Sequence, residues 1–228
     1  MARVAPSYLI DAGADDRRLR FVWDEWNITA TYSRVDEKLI EACNRLSWRG
    51  NCALTIGIAE WIVTRFSKLD SDSDPRRFLE AAWIGIIDPV LVHQPVIDDD
   101  TWRGPVRGPM SMAMTFVADA LFAEEAAQQA NMNPVWAAAF ARHVLPNTQA
   151  FGNWLNSGVD VLSAISPALD ESEVDWFDVS LNRGGLVCPE MLDAAMRFGD
   201  PRTHLKVYMD SVTATGNPYI RLNQFPSA

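Results

Sequence analysis

Helical spacing of apolar residues dominates the chain from Asp36 onward. Leu39, Ile40, Cys43 and Leu46 share one face of a helix, which Gly50 is expected to end, with Asn51 capping the next. That next segment, 52–69, is apolar almost all round: Ala53, Leu54, Ile56, Ile58, Ala59, Trp61, Ile62, Val63 and Phe66 are interrupted by Glu60 and Arg65. A helix without a polar face belongs at the centre of a bundle.

The chain also marks its helix starts. Asp74-Pro75, Asp88-Pro89, Asn133-Pro134 and Asp200-Pro201 each set a side-chain acceptor before a proline, whose fixed φ and missing N–H suit a first helical turn. Further helices are expected over 75–87, 110–130, 134–145, 149–165, 190–197 and 201–212. Asp170 with Glu173 makes a capping box for a short helix through Phe177. Residues 93–109 (HQPVIDDDTWRGPVRGP) carry Pro95, Pro105, Pro109, Gly104 and Gly108 without periodicity, so the whole stretch reads as an irregular loop.

This pattern predicts an all-α fold, an irregular bundle of about eight helices. Stacked helix pairs, as in HEAT arrays, are the other arrangement, although no residue pattern recurs at a fixed period. Residues 1–30 read as a non-helical arm with clustered aromatics, 31–228 as a single helical domain, and the stretch from Gly216 as an extended tail.

Charge narrows the partners. Against 20 Lys and Arg stand 30 Asp and Glu, a net charge of −10. Such a surface repels phosphate backbones and anionic headgroups, so nucleic acid and membrane are not expected partners, and a protein with a basic surface is. Cys43, Cys52 and Cys188 are too few and too scattered for a disulfide framework, no apolar run reaches spanning length, and the first residues lack a signal-peptide core. The cytoplasm is the expected compartment.

No constellation has the spacing of a catalytic or metal site. Glu60 stands out because its near neighbours in ALTIGIAEWIV are apolar, and a buried carboxylate needs a partner. Arg49, Arg65 and Arg142 are the candidates. Asp119, in TFVADALF, is a second expected buried charge, and both carboxylates read as structural. His93 precedes Asp98, Asp99 and Asp100, but adjacent side chains in an extended segment point apart, so no metal is expected. Glu-x-x-His does not occur, His143 and His204 have no nucleophile in a Gly-x-Ser-x-Gly turn, and Cys188 has no base in its motif. Gly184 and Gly185 lack the Lys-Ser/Thr of a phosphate loop and read as turn residues of positive φ. No catalytic residue and no cofactor is expected.

The resulting reading is a cytosolic protein-binding module. Trp102, Arg103 and Arg107 would anchor the 93–109 loop on a partner, and Asp98, Asp99 and Asp100 would meet its basic surface. An immunity protein that neutralises a basic toxin has this profile. The alternatives are an enzyme whose helical cavity uses Glu60, Asp119 and a histidine, and a homo-oligomeric helical scaffold.

Overall fold

A computed structural model describes residues 6, 8–9, 13–14, 16–98, 100–122, 131–196 and 199–221. Among them the chain is all-helical, with seven α-helices joined by short 3-10 turns and no β-strand beyond two isolated bridges. In chain order these are α1 (Glu37–Asn44), α2 (Trp48–Phe66), α3 (Asp74–Gly85), α4 (Gly104–Phe122), α5 (Met132–Val144), α6 (Thr148–Ile165) and α7 (Pro201–Ala214).

α2 is the axis. Every residue from Gly50 to Ala59 is buried, and α3, α4, α5 and α6 pack around it. A helix covered on four sides makes the architecture a bundle about a central helix, not a stack of helix pairs. Trp61, Phe151 and Trp154 form an aromatic knot beside it, with ring centroids 5.6–6.0 Å apart, and Tyr8 stacks on Trp154 at 5.4 Å. Each such side chain contributes roughly 1.5–3 kcal/mol by leaving water.

The break between α1 and α2 falls earlier than the sequence suggested. Ser47 caps α2, its hydroxyl accepting from the Gly50 N–H at 3.2 Å, so Gly50 and Asn51 lie inside the helix. Gly50 is there for space, since a Cβ would stand 3.0 Å from the Ser166 carbonyl oxygen. Asn51 serves the end of α1 instead: its Nδ2 donates to the carbonyls of Cys43, Leu46 and Ser47 at 3.0–3.2 Å, satisfying groups a helix end leaves orphaned.

All four Asp/Asn-Pro pairs lie at helical turns. Asp200 caps α7 as expected, while Asp74 and Asn133 have moved inside the first turns of α3 and α5, and Asp88 caps only the 3-10 turn Pro89–Leu91. The expected helices over 170–177 and 190–197 shrink to 3-10 turns at Glu171–Glu173, with its capping box, and Pro189–Leu192. α4 begins at Gly104, so only 93–103 of the expected loop is irregular. Pro105 sits in the first turn, where no intrahelical N–H is needed, and Pro109 one turn later forfeits a single backbone bond. Gly108 lets Trp23 press onto α4, for a Cβ there would meet the indole at 2.1 Å.

The segment before α1 holds no α-helix among its described residues from Asp16 to Val35. Phe21, Trp23 and Tyr32 set their rings 5.4–6.3 Å from Phe66, Phe140 and Phe116, and the fully buried Arg65 donates to the Arg18 carbonyl at 2.6 Å. At the other end Val92 bridges Ile220, and residues 222–228 lie outside the described residues.

Candidate functional site

The 93–103 loop folds back on itself. Asp98 accepts the Asp100 N–H on its side chain at 3.0 Å and the Thr101 and Trp102 N–H groups on its carbonyl. Asp98 and Asp100 are exposed, Arg103 pairs with Asp100 at 3.1 Å, and Asp99 lies outside the described residues. Arg107 is not part of that local pair. From α4 it reaches the turn before α3, meeting Asp70 at 2.7 Å and Asp72 at 3.2 Å, and its guanidinium lies 5.2 Å from the centre of the Trp102 ring. This contact holds the Asp70 carboxyl below the ordinary carboxylate range. Trp102 is therefore half-buried and already covered on one face. Arg107, with Trp102 against it, thus ties the loop to the turn before α3, and both side chains remain partly exposed.

Glu60 is half-buried at the edge of a cavity of about 260 Å³, lined also by Leu9, Val63, Arg76, Leu79 and Glu80. Its described hydrogen-bond partners include the Trp83 indole N–H at 2.9 Å and the Tyr8 hydroxyl at 3.3 Å. The candidate arginines have other work: Arg49 donates to the Ile86, Ile87 and Gly184 carbonyls, Arg65 to Val144 and Arg18, and Arg142 pairs with Asp36 at 3.8 Å. Glu80, not singled out from sequence, is the more buried carboxylate. It is 7% exposed, with Arg76 3.5 Å from an Oε1 that has no hydrogen-bond donor.

Asp119 is a correction. It is exposed, because the outward stripe of α4 runs through Ser111, Met112, Thr115 and Asp119 while Phe116, Val117 and Ala120 turn inward. Apolar mass nearby still raises its carboxyl above the ordinary range, but open access to water makes it a surface carboxylate. No histidine lines the Glu60 cavity, and His143 instead holds the Val22 carbonyl at 2.8 Å. The grouping of Glu60, Asp119 and a histidine is thus not assembled.

Two groupings that sequence reasoning missed lie in the chain after α6. In the loop after Ile165, Trp176 and Phe177 are 81% and 101% exposed. Their backbone is pinned. Asp175 N–H donates to Asn182 Oδ1 at 2.8 Å while Asn182 Nδ2 returns a bond to the Asp175 carbonyl at 2.7 Å. The Asp175 side chain accepts from the Phe177 and Asp178 N–H groups at 2.8 and 3.0 Å, which lowers its pKa below the ordinary value. Asp178 then caps the 3-10 turn Val179–Arg183. The motif DWFD thus fixes two bare rings between two hydrogen-bonded carboxylates. Two adjacent aromatics flanked by Asp175 and Asp178, next to a capping box, were the signal in the sequence.

The second grouping is Cys188, Glu190 and His204, whose donor atoms lie within 4.8 Å of one another, the one such metal-competent group among the described residues. No described helix is long and apolar enough to cross a membrane. Comparison with protein-family models, curated proteins and solved structures finds no match to this chain.

Proposed function

We propose that the protein is a cytoplasmic protein-binding module that seats Trp176 and Phe177 in an apolar pocket of a partner with a basic surface. The observation that carries this reading is the exposure of both rings on a backbone already held by the Asp175–Asn182 clamp. Exposed large aromatics cost solubility, and interface anchors are enriched in aromatic residues. Pre-ordering the loop lowers the entropy lost on docking. Asp170, Glu173, Asp175 and Asp178 around the rings, and the net charge of −10, select for a cationic rim on the partner. Occupying a basic effector in the manner of an immunity protein is the form of this role that the charge favours. The exposed Asp98, Asp100 and Arg103 serve as a secondary rim.

The test is binding kinetics against a partner captured with the parent chain. Trp176→Ala with Phe177→Ala should weaken affinity by about 30-fold or more through the off-rate, with the melting temperature unchanged. Asp98→Asn with Asp100→Asn should change affinity by less than about threefold. Equal binding by parent and double-alanine chain would remove the loop from the interface.

A second reading rests on Glu80. A buried carboxylate oxygen without a donor, facing a cavity also lined by Glu60, suits a small cationic amine. A rise in melting temperature with added amines, abolished by Glu80→Gln, would favour it over the binding-module reading.

A further inference from the structure

We infer that Cys188, Glu190 and His204 form a binding site for a zinc-class divalent cation, with one coordination position left to water or another ligand. The three residues come from two places in the fold. Cys188 and Glu190 flank Pro189 at the turn Pro189–Leu192, which is locked to the core because Met191 and Leu192 are buried and the Trp154 indole donates to the Leu192 carbonyl at 3.0 Å. His204 sits in the first turn of α7, whose Tyr208 hydroxyl bonds the Glu80 carbonyl at 3.0 Å. Two rigid elements thus deliver one thiol, one carboxylate and one imidazole to a common point.

Without a cation the Cys188 thiol has the Glu190 side chain as a hydrogen-bond partner, and His204 stands apart from both. The Cys188 thiol is fully buried, and a thiol is only a weak hydrogen-bond donor. Glu190 Oε2 is a buried atom with no hydrogen-bond partner among the described residues. His204 Nδ1 stands 4.0 Å from that oxygen, beyond hydrogen-bond reach. A cation between them supplies the charge the carboxylate lacks and converts the thiol into a ligand. The donor set selects the ion. Sulfur and imidazole nitrogen disfavour calcium and magnesium, which take oxygen, whereas Cys, His and Glu are all zinc ligands.

The geometry needs only a small contraction. Bonds of about 2.0–2.3 Å at tetrahedral angles bring ligand atoms to roughly 3.3–3.8 Å, against the present span of 4.8 Å or less. The Gly199 N–H now donates to His204 Nε2 at 3.2 Å, which leaves the imidazole proton on Nδ1. Loading moves that proton to Nε2, breaks the Gly199 bond, and releases the Cys188 thiol proton to solvent. One proton leaves per ion bound. The Gly199 amide therefore reports occupancy directly.

The experiment uses the full chain, stripped with a chelator and titrated with cobalt and then zinc. Cobalt should saturate at one ion per chain and produce thiolate charge-transfer absorption together with the visible bands of a tetrahedral ion, both displaced by zinc. Zinc should raise the melting temperature and shift the Gly199 amide resonance. Cys188→Ser should abolish the charge-transfer absorption. Because that residue is buried, Glu190→Gln and His204→Asn, at partly exposed positions, provide folded controls that should each weaken zinc binding at least tenfold. Cobalt spectra without a thiolate band, the absence of saturable binding by a folded chain, or zinc affinity unchanged in all three variants would each overturn the site.

Discussion

At the scale of single residues, the sharpest expectations concern Glu60 and Gly184. Glu60 accepts from Trp83 and Tyr8, and an amide oxygen can accept the same bonds. Glu60→Gln should therefore keep both bonds, whereas Glu60→Leu orphans the Trp83 indole N–H and should cost about 1–3 kcal/mol more than the glutamine variant. Urea melts of the two variants separate these outcomes. A large loss in Glu60→Gln would mean that the charge itself is needed. Gly184 is a second such position. Its φ is +81°, a Cβ would stand 2.2 Å from Ser47, and its carbonyl receives Arg49 at 2.6 Å. Gly184→Ala should lower stability by about 2 kcal/mol or more. Gly185 was expected to share the positive φ and does not. It is glycine because a Cβ would lie 2.3 Å from the Ile165 carbonyl oxygen.

At the scale of elements, Arg107 and Asp175 each hold a loop. Arg107→Ala removes partly exposed ion pairs to Asp70 and Asp72 and the cover over Trp102, a loss of about 1 kcal/mol by analogy with surface pairs and cation–π contacts. Hydrogen exchange should then speed up in 70–72 and 98–103 together, because one side chain ties both. The Asp175 clamp is set by acid. Its folded pKa is lowered by backbone donors, so its contribution is present above the unfolded value near ~3.9 and disappears as pH falls through the folded value. Protection of the Phe177 and Asp178 amides, measured against their intrinsic exchange rates, should persist at pH 6 and be lost only as pH falls below the ordinary carboxylate range. Much of the architecture was legible in the sequence. The all-round apolar run of α2 predicted its central place, and proline pairs marked real turns. What escaped were features decided by distant contacts. Ser47, not Asn51, caps α2 as it meets Ser166 across the fold, their hydroxyl oxygens 2.6 Å apart. Residues 104–109 became helix because Pro105 lies in the first turn and Pro109 forfeits only one backbone bond. A capping box announced a helix at Asp170 that lasts one 3-10 turn, and so hid the exposed pair Trp176 and Phe177 behind a helical reading. Cys188, Glu190 and His204 converge through packing of α7, which no local spacing records.

At the scale of the whole molecule, charge and shape act on different steps of binding. On the proposed binding role, the field of a net charge of −10 would steer a cationic partner before contact, while Trp176 and Phe177 would act only after the surfaces meet. The two contributions can be separated without disturbing the loop. Asp170 and Asp178 cap their turns through side-chain oxygens, bonding Ser172 and Ser180 N–H groups at 3.0 Å, and an asparagine oxygen accepts the same bonds. Asp170→Asn with Asp178→Asn thus removes two charges and keeps the backbone. Screening shortens the range of such charges to about 10 Å at 0.1 M salt. The parent on-rate should accordingly fall about tenfold or more between 20 and 300 mM salt, on the order seen for steered association. In the double-asparagine chain the fall should be shallower, with the off-rate nearly unchanged. Trp176→Ala should show the reverse, a raised off-rate with the parent's salt dependence. Stopped-flow measurement at several salt concentrations resolves both. A parent on-rate indifferent to salt would mean that the acidic surface serves solubility alone, and an unaltered off-rate in Trp176→Ala would place the contact elsewhere on the bundle.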